Sequence, residues 1–598
     1  MARIEDYALI GDLQTAALVE RNGSIDWLCF PRFDSGACFA ALLGTPDNGR
    51  WLVAPVDGGT VSRRYVGPTL VLETTWETNT GAVRVLDFMP PRDQAPDVVR
   101  IVEGLRGRVE MRSELVIRFD YGHIVPWVRR VDDSRLAIAG PDGLCFRTPA
   151  HTRGENMRTI STFTVEEGER VPFTLTWFPS HGDTPAPIDA GQALTETDDF
   201  WCEWSGKCSV EIPDEWGDIL RRSLIVLKAL TYEPTGGIVA APTTSLPEWI
   251  GGVRNWDYRY CWLRDATLTL LALLHGEYAD EAAAWRRWLL RAVAGDPADI
   301  QIMYGVAGER RLTEFELPWL AGYEGSAPVR IGNAASEQLQ IDVFGEVMDA
   351  LYQARVHGLA FEKHAWALQL TLLEYLERIW REPDEGIWEI RGERRHFVHS
   401  KAMAWVAFDR AVRTVETQPL AGPVERWREI RDEIHRDVCE HGYDAEIGSF
   451  TQSYGAKELD ASLLLIPLVG FLPASDPRVR GTIEAIERDL VVDGFVLRYR
   501  TDANAVDGLP PGEGVFLPCS FWLVDCLELV DRHDDARALL ERLVGLANDV
   551  GLLSEEYDPR AKRQLGNFPQ AFTHLALVNS AFNVLPHLPS PMHSRHAG

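Results

Sequence analysis

The sequence predicts a multidomain protein, an N-terminal antiparallel β-sandwich followed by an all-α (α/α)6 barrel. Three observations carry this reading. Up to about residue 200, short runs alternate apolar and polar positions between turn signals, the pattern of half-buried strands. Beyond that point helical periodicity runs almost to the end. The connections between those helices alternate between short and long. The expected division is 1–200 for the sandwich, 201–215 for a linker, 216–588 for the barrel and 589–598 for a flexible tail.

In the first part, "ALVERNGSIDWLCF" places two apolar runs around Asn22-Gly23, a strong hairpin signal. "TLVLETTWETNTGAVRVLDFMP" breaks in the same way between Asn79 and Gly81. Val171, Phe173, Leu175 and Trp177 alternate along "ERVPFTLTWF" with a period of two. In the second part, twelve helices are expected, near 216–232, 264–277, 279–295, 336–358, 362–381, 399–416, 423–441, 459–471, 477–490, 518–532, 534–549 and 568–587. The long gaps are 233–263, 296–335, 382–398, 442–458, 491–517 and 550–567. Short loops join antiparallel neighbours, so every long loop falls at one end. Six hairpins closing into a ring put the even-numbered helices inside and the functional mouth at the long-loop end. An open helical solenoid is the alternative, and the absence of a fixed-period repeat disfavours it.

Composition narrows the partners. Of 598 residues, 60 are Lys or Arg and 89 Asp or Glu, a formal charge of −29 that disfavours nucleic acid and anionic membranes. The nine cysteines are scattered without a CxxC, which points to reduced thiols and away from a disulfide frame or zinc site. The start "MARIEDYALIGDLQ" is no secretory signal, and "LLLIPLVGFLPA" is too short to span a bilayer. A cytoplasmic protein is expected; the oligomeric state is not legible.

Chemistry concentrates in the long loops. "GGVRNWDYRYCWLRD" brings four aromatics, three arginines and two aspartates together. Helix capping by Asp265 is the plain alternative for one of them. Rings that stack on C–H faces beside charged hydroxyl partners suit a polyhydroxylated ligand. "GVAGER" lacks the ending of a phosphate loop, so nucleotide binding is disfavoured. His396 and His399 match no metal motif and are read as bonding ligand or backbone; no GxSxG is present. Glu389 follows Trp388, an aromatic wall of the kind that keeps a carboxylic acid protonated. An exposed turn acid is the plain alternative. "GLLSEEYDPR" carries Glu555 and Glu556 side by side, and in extended chain only one of them faces a pocket. Two carboxylates from different loops suit glycoside hydrolysis.

Taken together, "IEDYALIGDLQTAALVERNGSIDWLCFPRFDS", "APTTSLPE", "RNWDYRYCWLRD", "MYGVAGER", "PVRIGN", "GIWEIRGERRHFVHSK", "LDASLLL", "DGFVLRYR", "CSFWLV", "SEEYDP" and "LGNFPQAFTHLAL" resemble glycoside hydrolase family 15 over nearly the whole chain, most closely its bacterial trehalase-like branch. The resemblance implies an inverting α-glucosidase with Glu389 as general acid and Glu555 as general base. It places Trp262, Arg264 and Asp265 on the non-reducing glucose, with Tyr258 and Trp388 shaping the site, and leaves Glu556 a supporting or solvent-facing role. Ile390 stands where glucoamylases carry a second glutamate, which implies other leaving-group contacts. The implied substrate is α,α-trehalose. The alternatives are a glucoamylase or glucodextranase acting on α-1,4 or α-1,6 gluco-oligosaccharides, an inactive carbohydrate-binding protein, and a phosphorylase, which Glu555 disfavours. The chemistry requires no cofactor; phosphate and Mg2+ dependence enter by resemblance alone. The β-domain is expected to be structural, with a contribution to the pocket rim as the other option.

Overall fold

The computed structural model describes residues 2–208, 210, 214–360, 363–501, 507–585, 590 and 592. Apart from Ser590 and Met592, the expected tail at 589–598 lies outside them.

Strands occupy the chain from Tyr7 to Pro179 and form two antiparallel sheets. The 20-residue strand Asp97–Val116 belongs to both. Its first half pairs with Gly81–Phe88 and Arg170–Pro179, its second with Arg50–Pro55 and Arg158–Glu166. Trp51 of one sheet meets Phe146 and Phe173 of the other, with ring centroids 5.6 and 6.4 Å apart. Both expected hairpins form. At Gly23 the backbone takes φ +87°, and a Cβ would stand 2.3 Å from the Val53 carbonyl, so the turn requires glycine. Among these rings lies Arg100, fully buried but saturated by Asp87 and the carbonyls of Trp51 and Gly23. A helix, Ala190–Ser205, leads out of the sheets.

Among the described residues twelve barrel helices follow: α1 Asp214–Ala229, α2 Ala266–His275, α3 Ala279–Ala292, α4 Asp342–Val356, α5 Lys363–Ile379, α6 Val398–Thr417, α7 Val424–His441, α8 Ala461–Leu464 running into Leu465–Leu468, α9 Pro477–Asp489, α10 Leu517–Leu529, α11 His533–Val544 and α12 Ala571–Val584. α4, α6, α8, α10 and α12 are buried nearly all round, whereas α3, α7, α9 and α11 bury one stripe each. That division is the one expected of inner and outer helices. The inner ring runs α2, α4, α6, α8, α10, α12 and returns to α2, so it closes, and the solenoid alternative falls. Gly345 lets α4 approach α6, since a Cβ there would meet the Met403 carbonyl at 2.2 Å.

The β-domain packs against the loop before α2. Trp27 Nε1 donates to the Pro242 carbonyl at 2.8 Å, and Arg259 bridges Asp257 and the Ser35 carbonyl. No described helix is long and apolar enough to cross a membrane.

Candidate active site

The loop before α2 is held from both sides. Arg259 anchors it to the β-domain, and Cys261–Trp262 pairs as a short strand with Met303–Tyr304 of the next long loop. The loop thus presents Trp262 and Arg264 to the loop before α6. There Trp262 Nε1 donates to Glu389 Oε1 at 2.7 Å, and Arg264 Nη1 reaches the same oxygen at 3.3 Å and the Ile387 carbonyl at 3.2 Å. Arg264 Nε donates to Asp265 Oδ1 at 3.1 Å. Asp265 stands at the N-cap of α2, but its side chain makes no capping bond, so the capping reading does not hold. Burial raises the Asp265 pKa, against the pull of Arg264.

Glu389 has φ +58°. A left-handed non-glycine backbone carries strain and persists only where its surroundings enforce it. Here the Glu389 amide donates to the Gly386 carbonyl, and Gln338 Nε2 donates to the carbonyls of Glu389 and Ile390 at 3.2 and 2.9 Å. Trp388 lines the same pocket as Glu389. Its Nε1 donates to Asp460 at 2.8 Å, and its ring packs on Phe516 and Trp522. The groups on the Glu389 carboxylate are Trp262 and Arg264.

Glu555 is buried, 1% exposed. Its Oε2 accepts the Asn567 amide at 3.0 Å, and its backbone amide donates to the Asn567 carbonyl. Gly566 makes room, because a Cβ there would meet Glu555 Oε2 at 2.6 Å. Burial, then the charge of Glu248, push the Glu555 pKa up to about 8; the Tyr258 phenol, the Asn567 amide and Arg498 act against that. Tyr258 feels the charges of both Glu555 and Glu389, and its ring lies 5.1 Å from that of Trp262. It therefore links the two halves of the site.

Glu556 begins the strand Glu556–Asp558, which pairs with Val515–Phe516. The solvent-facing option for it is wrong: it is fully buried, accepts the Gly514 amide at 2.8 Å and lies 3.7 Å from Arg498. Glu248, Glu513 and Glu556 gather their oxygens within 4.8 Å of one another, a spacing that could hold a cation. Arg498 already sits among them, 2.9 Å from Glu248, 2.5 Å from Glu513 and 3.7 Å from Glu556. A guanidinium in that place supplies the positive charge, so these residues do not fit a Mg2+ site.

One pocket brings these elements together, lined by Tyr258, Arg264, Trp388 and Glu389 and by residues the sequence reading gave no role. Those are Glu248, Arg254 and Trp256 before α2, Asn333 before α4, Arg391 before α6, and Arg498, Asp507, Leu509 and Phe516 before and around α10. Glu248 and Arg498 lie in "APTTSLPE" and "DGFVLRYR"; the motifs were visible, the roles were not. No lining residue comes from the β-domain; Glu555, Trp262 and Asp265 are not lining residues either, and each is bonded to one that is, Tyr258, Glu389 and Arg264 in turn. The space between the side chains is about 40 Å3.

A closed ring of twelve helices whose loops bring carboxylates, arginines and indoles to one pocket is the architecture of a glycoside hydrolase. The chain belongs to glycosyl hydrolases family 15, whose family model matches residues 216–582, while residues 1–152 match the trehalase-like N-terminal domain. It is 39% identical to a trehalase of Mycobacterium tuberculosis, over 97% of this chain and 89% of the relative. It is 35% identical to a trehalase of Thermoplasma volcanium, over 97% and 93%. A bacterial glucoamylase solved with acarbose superposes with a TM-score of 0.74 at 13% identity, covering 100% of this chain and 97% of that one, which supports the fold.

Proposed function

We propose that the protein hydrolyses α,α-trehalose to two glucose molecules with inversion. The observation that carries this is the narrow pocket. Beyond Arg264 and Glu389 it is walled by Asn333 from the 296–335 loop and by Asp507 and Leu509 from the 491–517 loop, so two long loops crowd in where a glucan chain would extend. The relatives named trehalase, matched along almost the whole chain, support the same substrate.

In this mechanism Arg264 and Asp265 hold hydroxyls of one glucosyl unit, against walls formed by Trp262, Tyr258 and Trp388. Glu389 gives its proton to the glycosidic oxygen as the C–O bond breaks. Glu555 takes a proton from a water that adds to the anomeric carbon from the opposite face, and both carboxyls then exchange protons with solvent. Glucose release from trehalose, maltose, isomaltose and dextran, measured side by side with and without phosphate, tests the substrate. Trehalose cleaved well above the others is the expected result; maltose or isomaltose as the best substrate replaces it with the glucoamylase or glucodextranase reading. Proton NMR of the first product tests inversion: one β-glucose per trehalose is expected, and α-glucose alone overturns it.

One observation favours exchanged roles. Glu555 has its pKa raised to about 8, the condition of an acid, whereas Glu389 accepts bonds from Trp262 and Arg264. α-Glucosyl fluoride separates the two, because fluoride leaves without a proton. With Glu389 as acid, Glu389→Gln keeps activity on the fluoride and Glu555→Gln loses it; the reverse pattern exchanges the roles.

A further inference from the structure

Between two helices of the inner ring lies a buried pair that the mechanism above does not use. Asp342 opens α4 and His399 lies in the first turn of α6, on adjacent helices of the inner ring. They are 0% and 2% exposed. Neither carboxylate oxygen of Asp342 and neither ring nitrogen of His399 has a hydrogen-bond partner among the described residues. Buried polar groups are paired with protein or with ordered water, and leaving them bare is costly.

His399 Nδ1 and Asp342 Oδ2 are 4.0 Å apart, too far for a direct bond. An oxygen about 2.8 Å from each would subtend roughly 90°, which suits a water that donates to the carboxylate and bonds the imidazole. Burial and the Arg264 charge push the His399 pKa down to about 3, so its ring is neutral. Burial, then Asp384, raise that of Asp342 to about 7, with Arg264 opposing and Glu389 adding to the rise. The Arg264 charge acts on both groups, and Arg264 is the side chain that bonds Glu389 and Asp265.

We propose that Asp342 and His399 are positioning residues that hold an ordered water between them and through it fix the Arg264 guanidinium against Glu389 and the sugar. This rests on the proposed function only in taking Arg264 as a sugar contact.

A double-mutant cycle tests it. Asp342→Asn, His399→Gln and Arg264→Lys are made singly and in pairs, and kcat, KM, glucose affinity and melting temperature are measured on the α-glucoside that the substrate panel shows is cleaved best. A wrong choice of trehalose therefore leaves the test intact. Each single change at 342 or 399 is expected to lower kcat about tenfold or more, while adding it to Arg264→Lys costs less than about threefold further. Losses that multiply in full overturn the proposal, as does a pair of single variants with wild-type kcat. If Asp342→Asn does not fold, the cycle with His399→Gln decides. A crystal structure with no ordered water between the two side chains also overturns it.

Discussion

Glu389 and Glu555 are the same side chain in opposite settings. Glu389 is 18% exposed on a strained loop, with an indole N–H and a guanidinium on one oxygen. Glu555 is buried next to a second carboxylate, Glu248, and keeps one backbone amide. The first setting supplies positive charge and donors, the second desolvation and like charge. Two carboxyls in such different surroundings are what two-carboxylate hydrolysis calls for, one to give a proton and one to take it.

Several changes would break or sharpen this contrast. The largest effect is expected at the carboxyls themselves. Glu389→Gln and Glu555→Gln should each lower kcat on the preferred α-glucoside by ~10²–10⁴-fold, the range of a general acid or base, with glucose binding largely kept. Glu556→Gln removes a buried carboxylate that faces Arg498 rather than the reaction, and steady-state kinetics should show a smaller loss; a larger loss than at Glu555 would move the base to 556. Next, Trp262→Phe deletes the 2.7 Å bond to Glu389 while keeping a ring. A hydrogen bond is worth about 0.5–1.5 kcal/mol net, so kcat/KM should fall roughly 2- to 13-fold. Glu248→Gln removes the charge that raises the Glu555 pKa. The Glu555 pKa then falls, the group stays ionised to lower pH, and the acid limb of the pH–rate profile should move to lower pH. A limb that stays in place, or moves up, detaches Glu248 from the base.

The smallest effect concerns stability. His574 bonds the Leu553 amide just before Glu555 and also Ser223, and burial pushes its pKa down to about 3. In the unfolded chain an ordinary histidine takes its proton near pH 6.5. The unfolded state therefore binds protons first, and stability should fall as the pH drops from about 6.5 towards 3. Melting curves should show this, with a weaker pH dependence in His574→Gln, itself less stable at pH 7. His399, at about 3, and His275, at about 4, add to the same slope.

Periodicity and loop length were enough to place the barrel helices, because an inner helix must be apolar all round and an outer one apolar on a stripe. Asn22-Gly23 was legible because only glycine relieves that turn. The Trp262–Arg264–Asp265 string and the two glutamate loops were legible as motifs, and the structure brings Trp262, Arg264 and Asp265 together with Glu389. Trp388 lines the pocket with Glu389, but adjacency in sequence could not show that its indole bonds Asp460. For Glu556 the sequence left a supporting or a solvent-facing role open, and ring closure, which buried it near Arg498, leaves the supporting one.

By itself the sequence determined the order of elements and the loops that carry chemistry, since these follow from local periodicity and turn residues; closure of the ring, for which a solenoid was the alternative, was decided by the contact of α12 with α2. Tertiary structure alone decided what each charge feels. Glu555 lies 166 residues beyond Glu389 in the chain, and Glu248, Arg498, Asp342 and His399 come from separate loops and helices. Burial and a neighbour's charge fall off over a few ångströms of space, not along the chain, so no local pattern records them.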